Sequence, residues 1–114
     1  MFCDIFKLRY TDCEEERMKT YTICGSMRYE KEMREIAYNL ETQKGYNILQ
    51  CIYSAGNVRP TKEELKRLEQ AHYLKIDLSD GIYVVNIEGY IGESVQKEIE
   101  YAKQQEKEIL YHCG

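Results

Sequence analysis

The sequence lacks features that would assign its 114 residues to several large classes of protein. No apolar run approaches the roughly 20 residues that a membrane-spanning helix needs, so we expect no membrane segment. The stretch from Met1 to Lys19 carries acidic residues without an apolar core, which predicts no signal peptide. The formal net charge of −4 argues against a nucleic acid polymer as partner, because its phosphates would repel an acidic chain.

Paired cysteines are missing as well. The five cysteines are scattered and form no Cys-x-x-Cys pair: Cys3, Cys13, Cys24, Cys51 and Cys113. Without a signal peptide, this predicts reduced thiols and a cytoplasmic location. Neither His72 nor His112 has a cysteine at ligand spacing, so we expect no metal site, and no cofactor is expected either. Cys24 and Cys51 lie in predicted strands, where a free cysteine usually acts as a small buried hydrophobic residue.

The chain does contain apolar strand-forming runs that alternate with segments of helical spacing. Strands are predicted at 20–24, 46–53, 82–87 and 107–112, and helices at 28–43, 61–75 and 93–105. This order predicts an α/β fold of the Rossmann or flavodoxin-like type, with a parallel sheet of four to five strands and helices on both faces. We divide the chain into an N-terminal extension (1–19) and one α/β domain (20–114).

The turn after the first strand is the first sign of a ligand site. Apolar and β-branched residues run into Gly25 and Ser26, and a helical pattern begins after Met27 and Arg28. A helix start offers unpaired backbone N–H groups, which suit an anionic or polyhydroxylated ligand, although Ser26 as a plain N-cap is the structural alternative. In parallel sheets, ligands bind at the carboxyl ends of the strands, where this turn meets the loops 54–59 and 88–94.

A second informative segment lies downstream. Asp80 precedes a buried strand, and the following helix carries Glu98 four residues before Ala102. Together with Cys-Gly-Ser-Met-Arg at the first turn, this pattern resembles the nucleoside 2-deoxyribosyltransferase family. It is nearest to the branch of 2'-deoxynucleoside 5'-monophosphate N-glycosidases, whose turn reads Gly-Ser-Ile-Arg. The resemblance covers about residues 20–112.

The resemblance implies cleavage or transfer of the N-glycosidic bond in 2'-deoxynucleosides or their 5'-monophosphates. Glu98 is the implied nucleophile on C1' of the deoxyribose, with Asp80 and His72 as further catalytic residues. The implied substrate-binding residues are Gly25, Ser26, Met27, Arg28, Asp77, Gly92 and Ser94. Gly25 is expected to let the backbone approach the ligand. The expected partner is a small nucleoside or nucleotide.

Structural roles remain open for several of these residues. The structural alternative for Glu98 is an ordinary solvated charge, of which its helix carries several. Glu93 is a second carboxylate near the same loop. His72 follows Leu65 and Leu68 on an apolar face, which favours a core histidine over a sugar-binding or proton-transferring one. Asp77 and Asp80 suit the end of a helix. The alternative function is a non-catalytic nucleotide-binding or sensing module on the same fold.

Self-association is a further expectation. The chain holds 11 tyrosines, more than its core requires, and tyrosine is common at subunit interfaces. Members of the nucleoside 2-deoxyribosyltransferase family, which the sequence resembles, are commonly dimers or larger oligomers. We therefore expect a homodimer or higher homo-oligomer whose interface includes helix faces near the site.

Overall fold

In the part of the chain that the structure describes, four parallel strands form one sheet. The computed structural model describes residues 17–53 and 56–112, and residues 1–16 of the predicted N-terminal extension lie outside them. The strands are β1 (Thr20–Cys24), β2 (Asn47–Leu49), β3 (Gly81–Val84) and β4 (Glu108–Tyr111), and they lie in the order β2-β1-β3-β4. All three pairings are parallel. The α/β fold with an all-parallel sheet is therefore confirmed.

Three helices connect the strands. They are α1 (Glu30–Asn39), which continues as a π-helical turn over Leu40–Lys44, α2 (Lys62–Asp77) and α3 (Glu93–Gln104). A capping box begins α2: the Thr61 side chain accepts from the Glu64 N–H, and the Glu64 side chain accepts from the Thr61 N–H. Gly45 ends the first helical segment with a φ of 74°, which a glycine adopts without strain. Within the described ranges, no helix is both long and apolar enough to cross a bilayer.

The helices cover both faces of the sheet, as predicted. On one face, α1 packs Met33 and Ala37 against the strand residues Tyr21 and Ile23. On the other face, α2 and α3 pack against the alternate strand residues; this second cluster contains Cys24, Ile76, Ile82, Val84, Val95, Ile99 and Ala102. Successive side chains of a strand point to opposite faces, so the last residue of β1, Cys24, points toward α2 and α3.

Two predicted strands end at least three residues earlier in the structure. β2 covers only Asn47–Leu49 of the predicted 46–53, since it lies at the edge of the sheet and pairs with β1 alone. β3 ends at Val84 because the chain turns at Asn86 into the short 3-10 turn Ile87–Gly89. Both corrections lengthen the loops at the carboxyl ends of the strands, where the prediction places a ligand.

The strand order creates a crevice beside β1. From β1 the chain crosses to β2 on one side, and from β2 it crosses back to β3 on the other side. The loops after β1 and β3 therefore diverge at the carboxyl edge of the sheet. Open α/β sheets bind ligands at such a switch point.

The opposite, amino edge of the sheet is held by Asp80. Its carboxylate accepts the backbone N–H of Thr20 at 2.8 Å and forms an ion pair with Arg17 at 3.1 Å. The hydrogen bond from Arg17 and that from the Thr20 N–H hold the pKa of Asp80 below its ordinary value. Asp80 thus links the start of β1 to the start of β3.

We expect Asp80→Asn to destabilise the protein in a pH-dependent way. At neutral pH the variant should lose about 1 kcal/mol of the free energy of unfolding, since an ionised acceptor is replaced by a neutral one. Because the folded-state pKa lies below the unfolded one, the stabilisation is complete above roughly pH 4 and is lost as the pH falls through the folded pKa. Urea unfolding of both proteins from pH 2 to 8 measures this. An equal difference at pH 2 and pH 7 would contradict the assigned role.

Candidate functional site

A cleft of about 1020 Å³ opens at the carboxyl edge of the sheet. The segments after β1, β2 and β3 form its floor and rim, and one side of α2 from Glu64 to Lys75 and the start of α3 form its walls. The residues that the sequence analysis singled out and that line this cleft are Gly25, Ser26, Met27, His72, Gly92, Ser94 and Glu98. The structure therefore brings together most of the predicted site.

Glu98 lies in the wall of the cleft and contacts His72. The Glu98 Oε1 atom is 3.3 Å from His72 Nε2, and the two side chains are only 16% and 11% exposed. Glu98 lies one residue before Ile99 of the buried stripe of α3, so it can reach the cleft while its stem packs. Glu100, two residues on, is 68% exposed and pairs loosely with Lys103. The helix thus separates one cleft-facing carboxylate from one solvated carboxylate.

Cys24 completes a cluster of three polar side chains with these two residues. Its Sγ atom is 3.5 Å from His72 Nε2 and lies within 4.8 Å of a Glu98 carboxylate oxygen. Burial raises the pKa of the Cys24 thiol well above its usual value, and the charge of Glu98 raises it further. The thiol is therefore protonated at neutral pH and acts as a hydrogen-bond donor, so Cys24 does not supply a free thiolate nucleophile.

Among the described residues, only one of the two ring nitrogens of His72 has polar neighbours. Its Nε2 atom meets Cys24 and Glu98, whereas Nδ1 is buried without a hydrogen-bond partner among the residues that the structure describes. The polar contacts of the ring are therefore confined to its Nε2 side. The structure does bury His72, at 9% exposure, but places it against a carboxylate rather than in a purely apolar core.

The first turn adopts a compact local structure. Ser26 caps the 3-10 turn Met27–Tyr29, its hydroxyl accepting from the Arg28 N–H at 3.3 Å. The Arg28 guanidinium lies 4.2 Å from the centre of the Tyr90 ring, and Tyr90 itself lines the cleft. Because this 3-10 turn precedes it, α1 begins at Glu30, slightly later than the predicted start at residue 28.

Three predicted site residues do not line the cleft: Arg28 lies beside the lining residue Tyr90, and the other two lie at the opposite edge of the sheet. Asp80 holds the amino edge of the sheet, as described above. Asp77 ends α2 near that edge, where its carboxylate accepts the Tyr101 hydroxyl at 2.6 Å and its backbone oxygen accepts from Lys107. Asp77 is the last residue of α2 and Asp80 follows it, so both precede β3 and cannot share the carboxyl edge with Glu98. The structure does not bring them into the cluster.

The sequence pattern does not assign every residue of the site. It marks Cys24 only as a buried hydrophobic residue, although the last residue of β1 lies at the carboxyl edge of the sheet. Cys51 and Tyr53 follow β2 and line the cleft. Burial raises the pKa of each, so both are neutral at pH 7. Glu64 and Glu69 line the cleft from the first half of α2. Helical periodicity alone does not show that this part of the helix borders a site.

Comparisons with family models, with curated proteins and with solved structures give no match to this chain. The geometry of the cleft and the resemblance of the sequence motifs are therefore the basis of the functional proposal below.

Gly25 packs closely against two buried side chains, Met33 and Val85. A Cβ atom at this position would lie 2.6 Å from Met33 Sδ and 3.1 Å from Val85 Cβ, and both of those side chains are buried. We expect Gly25→Ala to lower the free energy of unfolding by about 1–3 kcal/mol through overpacking. In a Met33→Ala background the same change should cost less, because the space is then free.

A double-mutant cycle measured by denaturant unfolding checks this. Additive effects of the two substitutions would contradict the proposed contact between residues 25 and 33. A loss of ligand binding in a Gly25 variant is interpretable only after this stability effect has been measured.

Proposed function

We propose that this protein cleaves or transfers the N-glycosidic bond of 2'-deoxynucleosides or their 5'-monophosphates. The observation that carries the proposal is the position of Glu98: a largely buried carboxylate that lines the cleft and is held by His72 at 3.3 Å. The resemblance to the nucleoside 2-deoxyribosyltransferase family, through the first turn and the Glu98–Ala102 spacing, supports the same assignment.

The reaction proceeds in two displacements. A Glu98 carboxylate oxygen bonds to C1' of the deoxyribose while the bond from C1' to the base nitrogen breaks, and the base leaves with that electron pair and takes up a proton. Water, or the nitrogen of a second base, then attacks C1' and releases the carboxylate. His72 and Cys24 hold one side of the carboxylate, which orients it and limits its hydration.

The remaining cleft residues suit the rest of such a substrate. The Ser26 hydroxyl and the neighbouring backbone offer hydrogen bonds to sugar or phosphate oxygens. Lys66, Arg67 and Lys75 add positive charge to a wall that also carries Glu64 and Glu69. Tyr53 and Tyr90 offer aromatic faces for a base. A nucleotide-sized ligand, with one charged end and one planar apolar end, matches this distribution.

We also propose that the protein forms a homodimer. Residues 56–71 are exposed throughout, although they form the outer wall of the cleft. This segment presents Val58, Leu65 and Leu68, of which Val58 is 70% and Leu65 52% exposed. A second copy packed on this wall would bury these side chains and narrow the cleft.

Glu98→Ala should abolish base release while leaving ligand affinity within about tenfold, a difference of ~1.4 kcal/mol. The substitution removes the proposed nucleophile but leaves Ser26 and the aromatic residues of the cleft in place. Glu100→Ala is the matched control: it removes a carboxylate from the same helix on its solvated side and should change neither quantity. Chromatography of reactions with a panel of deoxynucleosides and their monophosphates measures base release.

Glu93→Gln tests the competing carboxylate, which also lines the cleft. If Glu93→Gln loses base release and Glu98→Ala retains it, Glu93 is the nucleophile instead of Glu98. If the wild-type protein binds deoxynucleotides and releases no base from any of them, the protein is a nucleotide-binding module and the catalytic proposal is wrong.

Light scattering tests the dimer. At micromolar concentration the wild-type protein should have twice the 13.6 kDa mass of one chain, and Leu65→Glu should return it to the monomer mass. Leu78→Glu is the control, because Leu78 is 70% exposed at the far end of α2. A monomeric wild-type protein, or a dimer that persists in Leu65→Glu and is lost in Leu78→Glu, would contradict the proposed interface.

A further inference from the structure

Three metal-ligating side chains from three different elements meet beside the cleft. Cys24 ends β1, His72 lies in α2 and Glu98 lies in α3, and their ligand atoms all lie within 4.8 Å of one another. We propose that Cys24, His72 and Glu98 form a binding site for a divalent transition-metal ion of the Zn²⁺ class. The residue spacing in the sequence, which predicted no metal site, does not reveal this cluster, because 48 residues separate Cys24 from His72.

The distances match those of a tetrahedral metal site. With metal–sulfur bonds of about 2.3 Å and metal–nitrogen or metal–oxygen bonds of about 2.0–2.1 Å, tetrahedral geometry separates sulfur from nitrogen by about 3.5 Å and nitrogen from oxygen by about 3.3 Å. The observed separations are 3.5 Å between Cys24 Sγ and His72 Nε2, and 3.3 Å between His72 Nε2 and Glu98 Oε1. Two edges of the tetrahedron are thus already formed.

The charges of the cluster also suit a divalent cation. A Cys24 thiolate and the Glu98 carboxylate together carry two negative charges, which balance M²⁺ in a largely buried site. Binding displaces the thiol proton to solvent, because a coordinating metal ion deprotonates a thiol outright. The neutral His72 imidazole then binds through Nε2. A sulfur–nitrogen–oxygen ligand set selects Zn²⁺ or Co²⁺ over Mg²⁺ and Ca²⁺, which prefer oxygen ligands alone.

The fourth coordination position opens toward the cleft, since His72 and Glu98 both line it. Sites with three protein ligands and one open position bind water or a small ligand group there. The ion would bind the Glu98 carboxylate, which is the nucleophile of the proposed glycosidic reaction. The metal-loaded protein is therefore predicted to release no base, whereas the metal-free protein carries that activity. The metal site itself does not depend on the proposed function, because it is measured without substrate.

Titration of the full-length, metal-free protein with Co²⁺ under reducing conditions tests the site. The wild-type protein should develop a thiolate-to-cobalt charge-transfer band that saturates at one equivalent, together with the visible bands of tetrahedral Co²⁺, and Zn²⁺ should displace both. Cys24→Ser should lose the charge-transfer band. Cys51→Ser is the matched control: it removes the other described cysteine near the cleft and should leave the spectrum unchanged.

Glu98→Gln gives a second, independent variant. It should weaken Co²⁺ binding by about tenfold or more while keeping the thiolate band at saturation, because it removes only the oxygen ligand. Circular dichroism of the metal-free variants establishes that each is folded; should Cys24→Ser not fold, Glu98→Gln decides. The proposal is overturned if the wild-type protein shows no charge-transfer band at millimolar Co²⁺. It is equally overturned if folded Cys24→Ser keeps the band, if Cys51→Ser loses it, or if Glu98→Gln binds Co²⁺ as tightly as the wild type.

Discussion

The contact between His72 and Glu98 joins the two helices that cover one face of the sheet. It lies at the carboxyl end of β1, where Cys24 completes the cluster. Two ionisable side chains that are almost buried require a polar partner, and each supplies one to the other. The pairing holds the Glu98 carboxylate of α3 against α2. The charge of the same carboxylate adds to the effect of burial in raising the pKa of the Cys24 thiol.

The two edges of the sheet have different functions. At the amino edge, Asp80, Arg17 and Thr20 close the start of the strands with hydrogen bonds and an ion pair. Deeper in the same layer, the Thr22 and Ser79 hydroxyls are 2.6 Å apart and link β1 to the segment before β3. These contacts stabilise the parallel order. The carboxyl edge instead gathers polar groups around an open volume, so the polar residues there are available to a ligand.

Periodicity predicted the architecture because burial imposes it. Apolar strands, amphipathic helices and the Thr61–Glu64 capping box follow from local patterns, and so does the direction of Glu98, which adjoins the stripe formed by Val95 and Ile99. The roles of Asp77 and Asp80 could not be separated from that of Glu98 by pattern alone: an acid before a strand and an acid after one look similar in sequence but lie at opposite edges. The meeting of Cys24 with His72 depends on the packing of α2 across β1, which is a tertiary contact.

The central claim is that the Glu98 carboxylate forms a covalent bond to the sugar. Its most direct test is mass spectrometry of the metal-free protein, quenched with acid during incubation with deoxynucleosides and their 5'-monophosphates. The account predicts an added deoxyribosyl or deoxyribosyl-phosphate mass on the peptide that carries Glu98, and none in Glu98→Ala. Base release with no adduct on the wild-type protein, or with an adduct on another residue, would contradict it.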